Sequence, residues 1–412
     1  MAAARDASEQ KSFDDHVRSC KKRHRPRLKD WSKDGFASRR ASDFDALATA
    51  DVFGTEEISR EPHTLSQADF AEKYERTSTP LVVRGCVEHE AWPARTRWRS
   101  YGELLKTAGA ADLRLKCGED DDGRTIKMRL DDFARYASSN ADDSPLYIFD
   151  QGFSDRKGAQ ICLDAFKVPN FVKGHDLFQL VGEDRRPPYR WWLLGPKRSG
   201  TCAHVDPLGT SAWNTVVSGR KRWVLFEPGT SKVVAKGSKL CADWEDDEAC
   251  NYFVDILPRI RKHHAHARRV EFIQEPGETV YVPGGWWHAV INLDDTVGVT
   301  QNFASAENFD AVWEQTRTGR RGMAHKWLRA LEASPLAAHK ALAERAKLRP
   351  PIHAEAAPKD VPEGRKRARP NDEPLAAKTA PSFRRDKSPD RPRDFGERRT
   401  ARVSDDDDAP SP

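Results

Sequence analysis

The chain has 412 residues, 32% of them charged and 38% hydrophobic, enough for one sizeable folded domain with charged extensions. Lys and Arg total 69 against 64 Asp and Glu, a formal charge of +5 that does not by itself mark a nucleic-acid binder. Seven scattered cysteines without a Cys-x-x-Cys pair argue against a disulfide-stapled module or a thiolate zinc site. With no apolar run near the roughly 20 residues of a bilayer span and no apolar signal core in MAAARDASEQ, the chain is expected to be soluble, intracellular and without a membrane partner.

Residues 1–50 are dense in charge, with a basic cluster from Lys21 to Arg27, and read as a disordered basic arm. Residues 51–154 read as helical and β elements packing on a core: a helix through Phe70 and Tyr74, a strand at Leu81–Val83, a helix near Tyr101–Leu105, then strands at Leu113–Leu115, Ile126–Met128 and Leu146–Phe149. Residues 155–320 contain short runs rich in β-branched and aromatic residues between Gly/Pro turns, from YRWWLLG at Tyr189 to TVGVTQNF ending at Phe303. Such spacing indicates a sandwich or barrel rather than a βαβ fold, so the class is mainly β with flanking helices, α+β. Helices are expected over 321–350, carried by Trp327, Leu328 and Leu331, and a disordered tail over 351–412, where large aliphatic residues almost vanish.

The chemistry concentrates in two strings. In TCAHVDPLGTSAWN, His204 and Asp206 stand two apart, so an extended segment projects both from one face. In PGETVYVPGGWWHAVIN, His288 follows a Pro-Gly-Gly turn that aims its strand back across the sheet. Two histidines and one carboxylate on one face of an octahedron suit ferrous iron that must also take a bidentate cosubstrate and O2. An isolated His-x-Asp is commonly just a hydrogen-bonded pair, but an unpartnered His288 would be costly among such bulky apolar neighbours. The rival cluster His263-His264-Ala265-His266 is flanked by Arg and Lys, which disfavour a bound cation, and reads as a solvated loop.

At these strings the sequence resembles the jumonji-C (JmjC) oxygenases, cupin-fold enzymes dependent on Fe(II) and 2-oxoglutarate. The second string also fits the cupin pattern through Gly277, Pro283, Gly285, His288 and Asn292. The resemblance runs roughly from Phe44 to Leu331, in blocks such as KCGEDDDG at Lys116, DDSPLYIFD at Asp142, RRPPYRWW at Arg185 and TQNFAS at Thr300. It is closest to the subgroup of bifunctional arginine demethylases and lysyl hydroxylases, and Gly229–Arg269 diverges. It implies a double-stranded β-helix (cupin, jelly-roll) core and iron held by His204, Asp206 and His288. It further implies 2-oxoglutarate held by Lys221, Thr300, Tyr147, Thr201 and Asn214, with ascorbate as reductant. No catalytic residue beyond the metal ligands is implied. Alternation puts Lys221 on one face with Trp223 and Leu225, where its amine would need an anionic partner; composition alone favours a surface lysine beside Arg220 and Arg222, and the resemblance reverses that preference.

The activity implied is hydroxylation of lysine side chains in basic proteins such as RS-rich splicing factors and histone tails, with N-methylarginine demethylation as a second outcome and a nuclear setting. Carboxylates at Glu119–Asp122 and Asp142–Asp143 are candidates to receive basic peptides. The clusters at Lys21–Arg27 and Arg365–Arg369 are candidates for import or single-stranded RNA contact, and the helices after Asn308 for a homodimer. The alternative is an RNA-binding or scaffolding cupin with little or no turnover, against which the intact triad and Lys221 argue. A cupin isomerase would carry His-x-His where Asp206 stands.

Overall fold

The computed structural model describes residues 2–49, 54–107, 112–153, 160–183 and 186–348. The tail expected at 351–412, with Arg365–Arg369, lies outside the described residues. Strands in chain order are β1 (Ser59–Pro62), β2 (Leu81–Arg84), β3 (Arg114–Glu119), β4 (Thr125–Arg129), β5 (Ile148–Asp150), β6 (Arg190–Gly195), β7 (Gly200–His204), β8 (Ser211–Ser218), β9 (Lys221–Phe226), β10 (Arg269–Gln274), β11 (Thr279–Val282), β12 (Trp287–Asn292) and β13 (Thr296–Phe303).

β1-β2-β11-β8-β13-β6-β5 form a seven-stranded sheet and β10-β9-β12-β7 a four-stranded one, with β3-β4 a separate hairpin. From β6 to β13 the chain passes back and forth between the two larger sheets, the winding of a double-stranded β-helix. Alternation along each strand separates two surfaces. Trp223, Leu225, Phe272, Val280, Val282 and Val290 fill the space between the sheets. The opposite face of the larger sheet carries Trp192 and Trp213, which meet Trp98, Trp92 and Phe166. The opposite face of the smaller sheet packs Ala203, Val224 and Phe226 against Tyr252, Phe253 and Ile256. Each fully buried tryptophan removes on the order of 200 Å² from water, roughly 5 kcal/mol gross, so these layers outweigh any single polar contact. Gly200 leaves no room for a side chain between β7 and β12: a Cβ there would stand 2.1 Å from the Val290 carbonyl oxygen.

Two expectations are corrected. The first concerns the basic arm, which is a docked element rather than a disordered tail. Its first part is the helix Ala2–His24, with Val17 and Cys20 in the core, and beyond it Phe36, Phe44 and Leu47 are buried. Its cations are matched by carboxylates far along the chain: Lys21 with Asp142 at 2.6 Å, Arg23 with Asp120 at 3.2 Å, and Arg25 with Asp246 at 3.0 Å and Glu248 at 3.4 Å. The second correction concerns the acidic patch, whose members are engaged internally. Asp142 also accepts from the Tyr136 hydroxyl, Asp143 from the backbone N–H groups of Asp34 and Phe36, and Glu119 is paired with Lys116. Complementary charge inside one chain thus engages much of both patches, while Lys22 and Arg27 are left out of these pairs.

The segment 51–154 is not a separate layer. β1 and β2 extend one side of the seven-stranded sheet and β5 the other. Between β4 and β5 a helix, Leu130–Ser139, buries Leu130, Phe133, Tyr136 and Ala137, where the sequence reading placed strands alone. The divergent stretch after Gly229 is largely helical, ending in Leu257–His263. The helices Phe309–Gly319, Arg321–Ala333 and Ala337–Lys347 bury Trp313, Trp327, Leu331 and Leu342 against Leu177 and Phe178 of the same chain. No helix among the described residues is long and apolar enough to cross a membrane.

Candidate metal centre and its pocket

β7 ends at His204, and its antiparallel neighbour β12 places His288 directly opposite. The two imidazole centroids are 4.1 Å apart. Asp206 follows on extended backbone (φ −62°, ψ 145°) before the turn Pro207–Gly209, so its carboxylate comes round to the histidines. Each Nε2 lies 3.9 Å from Asp206 Oδ1. All three ligand atoms fall within 4.8 Å of one another, and among the described residues this is the one group of His, Cys, Asp and Glu side chains so arranged. His263, His264 and His266 are not part of this group, and His263 closes the helix Leu257–His263 rather than lying in a loop.

Backbone carbonyls set the tautomers. His204 Nδ1 is 2.9 Å from the Cys202 oxygen and His288 Nδ1 is 3.1 Å from the Trp286 oxygen. A carbonyl can only accept, so each Nδ1 carries the proton and each Nε2 lone pair faces Asp206. Burial, then the neighbouring His288, pushes the His204 pKa well below the ordinary imidazole value, keeping it a neutral donor. Burial also raises the Asp206 carboxyl, offset in part by His288 and by a hydrogen bond from the Asn302 side chain. A divalent cation would reverse that penalty.

The five residues expected around a cosubstrate all face the space between the sheets. Lys221 alternates with Trp223 and Leu225, both in the interior cluster, and is itself 1% exposed. It has no ion pair or hydrogen bond among the described residues, and burial alone lowers its amine from 10.5 to about 7. Asn214 and Thr300 are cross-strand partners on β8 and β13, opposite in facing to Trp213. The Asn214 Oδ1 is buried without a hydrogen-bond partner among the described residues, whereas the Thr300 hydroxyl donates to the Trp213 carbonyl at 2.9 Å. Tyr147 lies just before β5, 6.2 Å from the Phe149 ring, which stacks on Trp191 across from Thr300; burial raises its phenol and keeps it protonated.

Thr201 required a device that strict alternation does not supply. Thr201 pairs with Val290 and His204 with His288, so three steps on β7 oppose two on β12. This bulge lets both residues face inward, while Ala203 packs in the outer core and the Cys202 thiol donates to the Asp247 carbonyl.

Asn302 escaped the sequence reading. It lies on β13 two residues beyond Thr300, hence on the same face, and its amide also donates to the Thr210 hydroxyl at 2.9 Å. Bonded to both Asp206 and the adjoining turn, it fixes the carboxylate's orientation. Asn302→Ala is expected to weaken metal affinity by about 10 to 100-fold, measured by calorimetric titration of Mn(II); affinity within twofold of wild type would refute this role. A groove opens beside this carboxylate, walled by Pro187, Pro188, Tyr189, Trp191 and Pro207, with Arg320 also lining it.

Comparison with known proteins gives a concordant result. Residues 191–303 match the family model described as JmjC domain, hydroxylase. The chain is 38% identical over 274 residues to the bifunctional arginine demethylase and lysyl-hydroxylase psr-1 of Caenorhabditis elegans, covering 65% of this chain and 66% of that protein. Against psr-1 of Caenorhabditis briggsae it is 39% identical over 275 residues, 66% and 67% of the two chains. Against the human 2-oxoglutarate and iron-dependent oxygenase JMJD4 it is 28% identical over 280 residues, 61% and 62%. The aligned region thus spans about two thirds of the length of these relatives.

Proposed function

We infer the activity from the family: the chain belongs to the JmjC-domain hydroxylases, and we propose that it is an Fe(II)- and 2-oxoglutarate-dependent oxygenase acting on proteins. The observation that carries this is a lysine, without an ion pair or hydrogen bond among the described residues, buried in the same barrel interior as a convergent His-Asp-His triad. A lone ammonium in an apolar barrel calls for an anion, and two neutral imidazoles with a carboxylate call for a divalent metal. The residues therefore fit both groups. His204, Asp206 and His288 would hold the iron; Lys221, Tyr147, Thr300, Thr201 and Asn214 would hold 2-oxoglutarate. When bound, the pair supplies O2 activation, in which 2-oxoglutarate is decarboxylated to succinate and CO2 and one oxygen atom enters a substrate C–H bond.

The protein's own contribution is placement. Lys221 neutralises the distal carboxylate, and the Tyr147 phenol and the Asn214 amide offer hydrogen bonds to the cosubstrate. Thr300 joins them only by turning its hydroxyl from the Trp213 carbonyl. Carbonyls of Cys202 and Trp286 keep the imidazole protons away from the metal side. Pro187, Pro188, Tyr189 and Trp191 give the groove beside the site an apolar wall, the kind of surface that would meet the methylene stem of a lysine or arginine side chain.

Lysine hydroxylation of basic proteins is the primary reading and N-methylarginine demethylation the second, since psr-1 carries both activities in its name. Splicing regulators and histone tails, with a nuclear setting, belong to the same proposal. RNA contact would rest on Lys22, Arg27 and the outlying 365–369 cluster, because Lys21, Arg23 and Arg25 are paired. A homodimer through the C-terminal helices is proposed separately and is read by light scattering on the purified chain.

The test is turnover. With Fe(II), ascorbate and a Lys/Arg-rich peptide, the protein should convert 2-oxoglutarate to succinate. Gain of one oxygen on lysine supports hydroxylation, and loss of a methylene from methylarginine supports demethylation. Absence of both, together with tight RNA binding, would replace the enzyme with the scaffold.

A further inference from the structure

Gln274 belongs to no motif discussed above, yet it is fully buried and stands directly opposite Lys221 on β10. Its Oε1 accepts from the Trp223 indole N–H at 2.9 Å. Its Nε2 donates to the Asn214 carbonyl and to the Glu278 carbonyl, both at 2.9 Å. One amide therefore ties together β9, β8 and the start of β11, across the two sheets, with its donors and its acceptor all engaged.

Trp223 is the informative partner. On β9 it lies between Lys221 and Leu225, and in the register with β12 it faces Val290, midway between the Leu225–His288 and Lys221–Asn292 pairs. Its ring stacks on Phe272, with centroids 6.1 Å apart and planes at 4°, and lies 6.2 Å from the His288 ring. The indole thus occupies the stretch of barrel interior between the metal ligand and the buried cation. On the reading that this interval holds 2-oxoglutarate, the indole is the surface against which the cosubstrate's two methylenes lie.

We propose that Gln274 is a positioning residue for 2-oxoglutarate, acting by locking the Trp223 indole and the Asn214 carbonyl on either side of the slot. Its amide is taken up by these protein partners, so its effect runs through them. Because it is a neutral amide, it makes these bonds without offering Lys221 an internal carboxylate, and so leaves that ammonium for the cosubstrate.

A double-mutant cycle tests this, using Gln274→Met, which keeps the volume and loses the bonds, and Trp223→Phe, which keeps the ring and loses the N–H. Calorimetry reads 2-oxoglutarate binding to the Mn(II)-loaded, anaerobic full chain, and thermal unfolding is followed alongside. Gln274→Met is expected to raise the 2-oxoglutarate Kd by about tenfold, leaving Mn(II) affinity within threefold and kcat at saturating 2-oxoglutarate within threefold. In the Trp223→Phe background the same change is expected to have less than a threefold effect, since part of its route is gone. The proposal is overturned if Gln274→Met leaves the Kd within twofold, if Mn(II) and 2-oxoglutarate affinities fall together, or if the two substitutions simply add. Were the wild-type chain unable to bind 2-oxoglutarate, the oxygenase reading would fail, a result separate from these.

Discussion

Lys221→Met is expected to abolish cosubstrate binding while making the empty protein more stable. The ammonium is buried, unpaired among the described residues, and lowered from 10.5 to about 7 by desolvation alone. Removing one partner of a buried ion pair costs about 3–5 kcal/mol, so the 2-oxoglutarate Kd should rise by roughly two to four orders of magnitude. Without the cosubstrate the same charge opposes folding. A lysine whose pKa is lower folded than unfolded binds fewer protons in the native state, so stability rises with pH between the two values. The penalty is complete below pH 7 and fades toward 10.5. Methionine removes it, and a gain of about 2–4 kcal/mol near neutrality is expected, seen as several degrees in Tm. The gain should shrink as pH is raised. By the same linkage, wild-type affinity for 2-oxoglutarate should weaken above pH 7, by up to about tenfold per unit, because free Lys221 must take up a proton to meet the carboxylate. A Lys221→Met protein that binds 2-oxoglutarate as wild type does, or melts lower at pH 6, contradicts this account.

Asp206→Ala separates activity from stability in the same way. The carboxylate is the one anionic ligand of the triad, and the metal's contribution to the barrier is several kcal/mol, so succinate formation should drop by on the order of 10³-fold. Burial raises the Asp206 pKa, which means the ionised group costs stability at neutral pH rather than adding it. The metal-free variant should therefore melt no lower than wild type. Retention of more than about a tenth of the turnover would show that the metal is held elsewhere.

The triad was legible because its chemistry is local: His204 and Asp206 two apart, and His288 after a Pro-Gly-Gly turn. Alternation set Lys221 on a face with Trp223 and Leu225, but its basic neighbours Arg220 and Arg222 pointed to the surface and the resemblance decided between them; Asn302 was within reach of alternation, two residues past Thr300. Thr201 was not, since strict alternation sets residues three apart on opposite faces and only the bulge at Cys202–Ala203 brings it round. The helix Leu130–Ser139 did leave a signal, in Leu130, Phe133, Tyr136 and Ala137, masked by the strands on either side. The docking of the basic arm left no local signal. Arg25 meets Asp246 from 221 positions away, and a charge-dense segment looks the same whether its partners are water or a distant carboxylate.

The placement of β2 and β5 bears on how the molecule can be divided. The family match covers residues 191–303, close to the eight strands that make the barrel. Within the larger sheet, though, β11 is hydrogen-bonded to β2 and β6 to β5, both contributed from before residue 155. A fragment beginning at 155 would expose the backbone of β11 and β6 as open sticky rims, prone to pair with other copies and aggregate. The smallest soluble piece should therefore begin ahead of β1.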